Sequence, residues 1–171
     1  SWFLDTFEAP TSLQEHAWEA IESGKNALIT GPTGSGKTLA AFLFAIDTLI
    51  SEKTTDKAAR AGKGVRVLYV SPLKALGADV ERNLQEPLAG IVERLETGDV
   101  GMFRVRTGMR TGDTTAEQRR ALVRKPPDIL ITTPESLYLM LTSKSRDILR
   151  TVETVSVDEV HALAGSKRGA H

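Results

Sequence analysis

There is no cysteine in the 171 residues. That excludes disulfides, thiolate zinc sites and cysteine nucleophiles, and it fits a reducing, cytoplasmic setting. There is no excess charge of either sign: Lys plus Arg and Asp plus Glu are 22 each, for a net charge of zero. A broad basic surface for nucleic acid is therefore excluded, although a narrow track of a few phosphate contacts is not. No apolar run approaches the ~20 residues that span a bilayer, so no membrane partner is expected. The opening "SWFLDTFEAP" has neither a basic start nor a small-residue cleavage site, so it does not read as a signal peptide. What remains is an ordinary globular composition, 40% hydrophobic and 26% charged, in a chain long enough for one domain with a core.

Short runs rich in Val, Ile and Leu alternate with helical stretches. The runs are "NALIT" (26–30), "VRVLYVS" (65–71), "MFRVRTG" (102–108), "DILITT" (128–133) and "TVSVDEV" (154–160); the helical candidates are 11–23, 36–50, 74–95, 114–124 and 134–150. Runs apolar on both faces, "VRVLYV" and "DILIT", are characteristic of parallel strands. The alternation predicts an α/β fold with a mostly parallel sheet, and such sheets bind ligands beyond the carboxyl ends of their strands. The polar stretch 51–64, "SEKTTDKAARAGKG", reads as a flexible surface loop.

"GPTGSGKT" (31–38) fits the phosphate-loop pattern G-x-x-x-x-G-K-[ST], with a candidate strand before it and a helix after it. Its four fixed positions arise by chance in roughly 1 in 200 chains of this length, so the flanking elements matter. Gly31, Gly34 and Gly36 permit turns and close backbone approach, so that N–H groups of Thr33, Ser35 and their neighbours form an anion nest at a helix N-terminus. Lys37 brings positive charge to the β- and γ-phosphates of ATP, and Thr38 offers a hydroxyl to Mg2+. Hydrolysis also needs a carboxylate to position the metal and a group to activate water. "TVSVDEVH" supplies Asp158 for the metal and Glu159 as general base at the end of a buried run. His161 reads either as a relay or as a histidine satisfied by nearby backbone.

Several further residues have plain readings. Leu13, Trp18 and Ile21 share a helix face and belong to the core, whereas His16 lies on the surface. "EQRRALVRK" reads as a solvated basic helix end rather than a DNA patch. Lys167 and Arg168 suit either solvent or nucleic acid.

The order of the motifs "PTSLQ" (10–14), the phosphate loop, "SPLKAL" (71–76), "RTGD" (110–113), "TTPESL" (132–137) and "DEVH" (158–161) resembles the first RecA-like domain of a superfamily 2 DExH helicase. The combination of "SPLKALGADVERNL", "LITTPESLYLMLTS" and "HALAGSKRGAH" is similar, more narrowly, to the large helicase-related (Lhr) family. The resemblance covers nearly the whole chain outside 51–64. It implies a three-layer, RecA-like P-loop NTPase domain that ends just after its Walker B strand. It also implies an ATP-dependent, 3′ to 5′ translocase on single-stranded DNA. By the same resemblance Gln14 reads the adenine edge, with Phe7 a candidate to stack on the base, and His161 joins Lys37, Asp158 and Glu159 in catalysis. Pro72, Leu73 and Lys74, then Thr111 and Gly112, then Thr133, Pro134 and Glu135, match the motifs that grip the nucleic-acid backbone. Such grips suit sequence-blind movement and need no net positive charge. They serve RNA or a DNA–RNA hybrid as well as DNA. A second RecA-like domain, with its arginine finger, and the strand that separates the phosphate-loop strand from the DEVH strand are expected from chain beyond residue 171. Two other readings remain open: a P-loop NTPase that does not act on nucleic acid, and a nucleotide-binding module without turnover.

Overall fold

The computed structural model describes residues 6–32, 34–54, 64–72, 84, 87–89 and 105–164. The elements are α1 (Ser12–Glu22), α2 (Lys37–Thr54), β1 (Val67–Val70), β2 (Thr107–Arg110), α3 (Ala116–Arg124), β3 (Ile129–Thr132), α4 (Pro134–Leu141), a 3-10 helix (Lys144–Leu149), β4 (Thr154–Val157) and α5 (Val160–Leu163). The four strands form one parallel sheet in the order β2-β3-β1-β4. The α/β class expected from the alternation is therefore present.

Side chains alternate across a strand, so one run of sequence feeds two cores. Val67 and Tyr69 of β1 and Ile129 and Ile131 of β3 pack with Phe42, Ala45, Ile46 and Leu49 of α2. Leu68, Val70 and Leu130 face the other way, onto Met140 of α4 and Ile148 of the 3-10 helix. The result is three layers, with β1 and β3 buried at every position. That is why these two strands are apolar apart from the Tyr69 phenol and the terminal Thr132.

Helix starts follow local chemistry. Thr11 and Thr115 each close a capping box with the Gln three residues on, and Thr133 caps α4 with Pro134 in its first turn. Trp18 is half-buried and donates its indole N–H to the Ala40 carbonyl at 2.9 Å, which ties α1 to α2. His16 is exposed, and α3, which carries "EQRRALVR", buries no residue.

Several expectations are corrected. Residues 26–30 do not form a strand: they make no ladder pairing among the described residues, and Leu28 is 79% exposed. Apolar composition suits a strand, but a strand exists only against a neighbour, and β4 does not reach this segment. β4 is instead the edge of the described sheet, with Val155 and Val157 exposed. Helix α2 continues to Thr54, into the first part of the expected loop 51–64, whose centre lies outside the described residues. β2 runs over Thr107–Arg110 rather than ending at 108, and of the expected span 102–108 residues 102–104 lie outside the described residues. The helix expected over 134–150 ends at Leu141, where the Thr142–Ser143 pair lets Ser143 cap a separate 3-10 turn. The helix expected over 74–95 lies almost wholly outside the described residues.

Candidate nucleotide site

Parallel strands in register end on one rim. Val70 pairs with Thr132 and Val157, and Arg110 pairs with Thr132. The residues that follow, Thr111, Thr133, Ser71 and Asp158, therefore succeed one another along the sheet edge. At roughly 4.8 Å between neighbouring strands the row is about 14 Å long.

At the β4 end of this rim is a cleft of about 930 Å3, lined by Gly31, Lys37, Thr38, Tyr69, Asp158, Glu159 and His161. The lysine of the glycine loop and the acidic pair thus share one cavity, although 120 residues separate them in sequence. Residues 25–30 also line it.

The glycine loop is built as an anion cradle. Gly34 and Gly36 have φ of 83° and 82°, a region that L side chains enter at a cost of about 1–2 kcal/mol. Helix α2 starts at Lys37, so its first N–H groups lack intrahelical partners, and its first turn holds no acidic side chain. Ser35 Oγ is buried with no hydrogen-bond partner. Lys37 Nζ donates to the Gly31 carbonyl at 2.6 Å and to the Pro32 carbonyl at 2.7 Å, which curls the loop around the ammonium. An orphaned hydroxyl, a helix N-terminus and a lysine at one concave turn fit a polyphosphate. Thr33 lies outside the described residues.

Gln14 sits against this loop. A methyl group on Gly36 would come within 2.6 Å of the Gln14 amide nitrogen. The glutamine is buried, and its Oε1 accepts from the Thr11 backbone N–H at 2.9 Å. The residue expected to read a base is thus also the N3 partner of a helix cap, which fixes its amide beside the cradle. Gly36→Ala combines an unfavourable φ with that overlap. The expected result is a loss of about 1–3 kcal/mol in chemical denaturation and weaker nucleotide binding in a titration of the same sample.

The acidic pair follows β4. The Asp158 N–H donates to the Val70 carbonyl at 2.9 Å, extending the β1–β4 ladder by one residue. Asp158 Oδ1 accepts from the Glu159 N–H at 2.9 Å, and Oδ2 accepts from the Tyr69 hydroxyl at 2.5 Å. Glu159 adopts φ 47°, ψ 46°, the only left-handed non-glycine among the described residues. Its Oε2 lies 3.1 Å from His161 Nε2, and His161 is itself mostly exposed. Among the described residues no group of three or more His, Cys, Asp or Glu side chains could hold a metal unaided. A cation here would be bound largely through a substrate's phosphates, as Mg2+ usually is, with Thr38 and Asp158 as the protein's contribution.

The expected nucleic-acid contacts divide. Leu73 and Lys74 lie outside the described residues. Pro72, Thr111 and Thr133 are buried at the rim. The Thr111 N–H donates to Thr114 Oγ1 at 2.9 Å, and Thr133 Oγ1 accepts from the Ser136 N–H at 3.3 Å. Gly112 and Glu135 are exposed and Pro134 is half-buried. Sequence reasoning missed two residues. Tyr69 reaches the acidic pair from the core. Arg110 is 7% exposed at the end of β2, and burial lowers the pKa of its guanidinium, with the Arg119 charge adding to the effect. Lys167 and Arg168 lie outside the described residues.

A glycine cradle opening α2, sharing a cleft with an acidic pair that follows the edge strand of a parallel sheet, defines a P-loop α/β domain. The DEAD/DEAH box helicase family matches residues 11–171, and the chain belongs to that family. It is 58% identical over 172 residues to the Lhr helicase/uracil glycosylase of Escherichia coli K12, covering 99% of this chain and 11% of that protein. It is 47% identical over 174 residues to the ATP-dependent helicase Lhr-Core of Methanothermobacter thermautotrophicus, covering 99% of this chain and 19% of the relative. The solved structure of Mycobacterium smegmatis helicase Lhr bound to ssDNA and AMP-PNP superposes with a TM-score of 0.90 at 55% identity, over 99% of this chain and 21% of that one. The chain therefore spans between a tenth and about a fifth of the length of these relatives. No helix among the described residues is long and apolar enough to cross a membrane.

Proposed function

We propose that this chain is the ATP-binding, first RecA-like domain of an Lhr-type helicase. It works within a longer polypeptide that moves 3′ to 5′ along single-stranded DNA and separates duplexes. The observation that carries this reading is the convergence of Lys37, Thr38, Asp158 and Glu159 on one cleft, at the end of the same rim that presents Ser71, Thr111 and Thr133. The relative of known structure, described as bound to ssDNA and AMP-PNP, supports it.

In this mechanism the cradle holds the triphosphate and Lys37 offsets charge on its terminal phosphates. Bound Mg2+ supplies further charge neutralisation there, with Thr38 and Asp158 as its protein partners. Glu159 accepts the proton of the attacking water, and the imidazole of His161 keeps contact with that carboxylate. Gly112, Pro134 and Glu135 are the accessible members of the phosphate grip. Because these contacts are neutral groups at loop ends, binding falls with salt less steeply than the about 0.7 log units per log unit that each phosphate neutralised by Lys or Arg contributes on a single strand.

The test is strand displacement by the full-length protein on matched DNA, RNA and hybrid duplexes, with ATP and Mg2+. Unwinding of DNA with a 3′ single-stranded tail is expected. Mg2+-dependent nucleotide binding without displacement of any duplex would return the protein to the P-loop NTPases that do not act on nucleic acid. The 171 residues alone should hydrolyse little ATP, since an arginine finger from a second domain accounts for roughly 10³–10⁵ in related enzymes. Steady ATPase stimulated by single-stranded DNA from this segment alone would contradict that assignment.

A further inference from the structure

Tyr69 belongs to none of the recognised motifs. It sits at the third position of β1, 1% exposed, with its ring stacked on Phe42 at 4.7 Å between centroids and 29° between planes. A buried phenol needs a partner for its hydroxyl. Here the partner is the carboxylate assigned above to the cation. The hydroxyl donates to Asp158 Oδ2 at 2.5 Å, and Thr38 lines the same cleft. Burial and then the Asp158 contact raise its pKa well above the usual phenol range, so the proton stays on tyrosine.

Valence then orders the chain of protons. An ionised carboxylate only accepts, and tyrosine has one proton, which goes to Asp158. Asp158 is held at both oxygens, by Tyr69 and by the Glu159 N–H. Asp158 follows the end of β4, so the phenol braces it from inside the core.

We propose that Tyr69 is a positioning residue: from inside the core it holds Asp158 Oδ2 and fixes where that carboxylate stands for a nucleotide-bound divalent cation. This rests on the reading that Asp158 serves such a cation. Groups that orient metal ligands from behind typically change metal affinity by about 10–100-fold when removed. Tyr69→Phe keeps the ring, its stack and its volume, and deletes only the link.

The experiment measures binding of a fluorescent ADP analogue to the full-length protein, with Mg2+ and with EDTA, for the parent and for Tyr69→Phe. The ratio of the two dissociation constants is the metal coupling. Expected are an unchanged metal-free affinity, a melting temperature close to the parent's, and a coupling reduced about 10-fold or more. A Tyr69→Phe protein with parental coupling overturns the proposal. So does an equal loss of affinity with and without Mg2+, which would make the hydroxyl a prop for the fold alone. A parent protein showing no Mg2+ coupling removes the cation reading itself, and this proposal with it.

Discussion

Glu159→Gln is expected to leave ATP bound and to stop its turnover. The glutamate is held at the cleft by backbone rather than by its own side chain. Asp158 continues the ladder onto Val70, the Glu159 N–H is tied to Asp158 Oδ1, and the Glu159 carbonyl accepts from the Ala162 N–H at 2.8 Å. These bonds hold the residue at φ 47°, where a non-glycine costs about 1–2 kcal/mol. Strain of this kind persists where the surroundings over-determine the backbone, and it aims the side chain. Glutamine matches glutamate in shape and keeps an oxygen for His161, so the turn and the nucleotide affinity should survive. It cannot take a proton from water. Loss of a positioned general base lowers turnover by about 10²–10⁴, read in single-turnover ATP hydrolysis by the full-length protein. The companion Glu159→Gly relieves the strain, so it should raise stability by up to about 1 kcal/mol while losing the same activity. Turnover within tenfold of the parent for Glu159→Gln would show that Glu159 is not the general base; no turnover in the parent either would favour a module that binds nucleotide without hydrolysing it.

Much of the architecture was legible because it is local. The runs around β1 and β3 announce burial on both faces, and the threonines before α1, α3 and α4 announce helix starts. The glycine loop and the acidic pair are read from spacing alone. What was not legible depends on neighbours. "NALIT" has the composition of a strand, yet hydrogen bonding needs a second strand, and none among the described residues stands beside it. The sequence resemblance placed a further strand in that interval, and the exposed Val155 and Val157 mark the corresponding edge of β4. Tyr69 shows the same limit inside the site. Periodicity puts it in the core, correctly, at 1% exposure. That its hydroxyl meets Asp158 follows from Tyr69 pairing with Ser156 across a parallel ladder, a register no window of sequence contains. Thr133 illustrates a double meaning. The same hydroxyl that suits a phosphate grip is, in the fold, the cap of α4.

Lys37→Ala is expected to weaken nucleotide binding and to slow hydrolysis further still. The ammonium is the one positive side chain in the cradle and, at the first position of α2, it adds to the partial positive charge of the helix start. Its present partners are neutral carbonyls of Gly31 and Pro32, which a polyphosphate outbids as a charged acceptor. A hydrogen bond to a charged group contributes about 1.5–3 kcal/mol, so affinity for ATP should fall about 10–150-fold. Charge grows on the terminal phosphate as the bond breaks, so the loss in turnover should exceed the loss in binding, at about 10²–10³ for a single electrostatic contact. Lys37→Arg should recover little. The guanidinium keeps the charge, but it is planar and larger, and the loop closes around the slender lysine tip within 2.7 Å. Because the lysine's partners among the described residues lie in its own loop, thermal stability without nucleotide should change little in either variant. Calorimetric titration with a non-hydrolysable ATP analogue, beside single-turnover hydrolysis, separates the two losses. Equal ATP affinity in parent and Lys37→Ala would mean that the glycine loop is a helix cap and not a phosphate site.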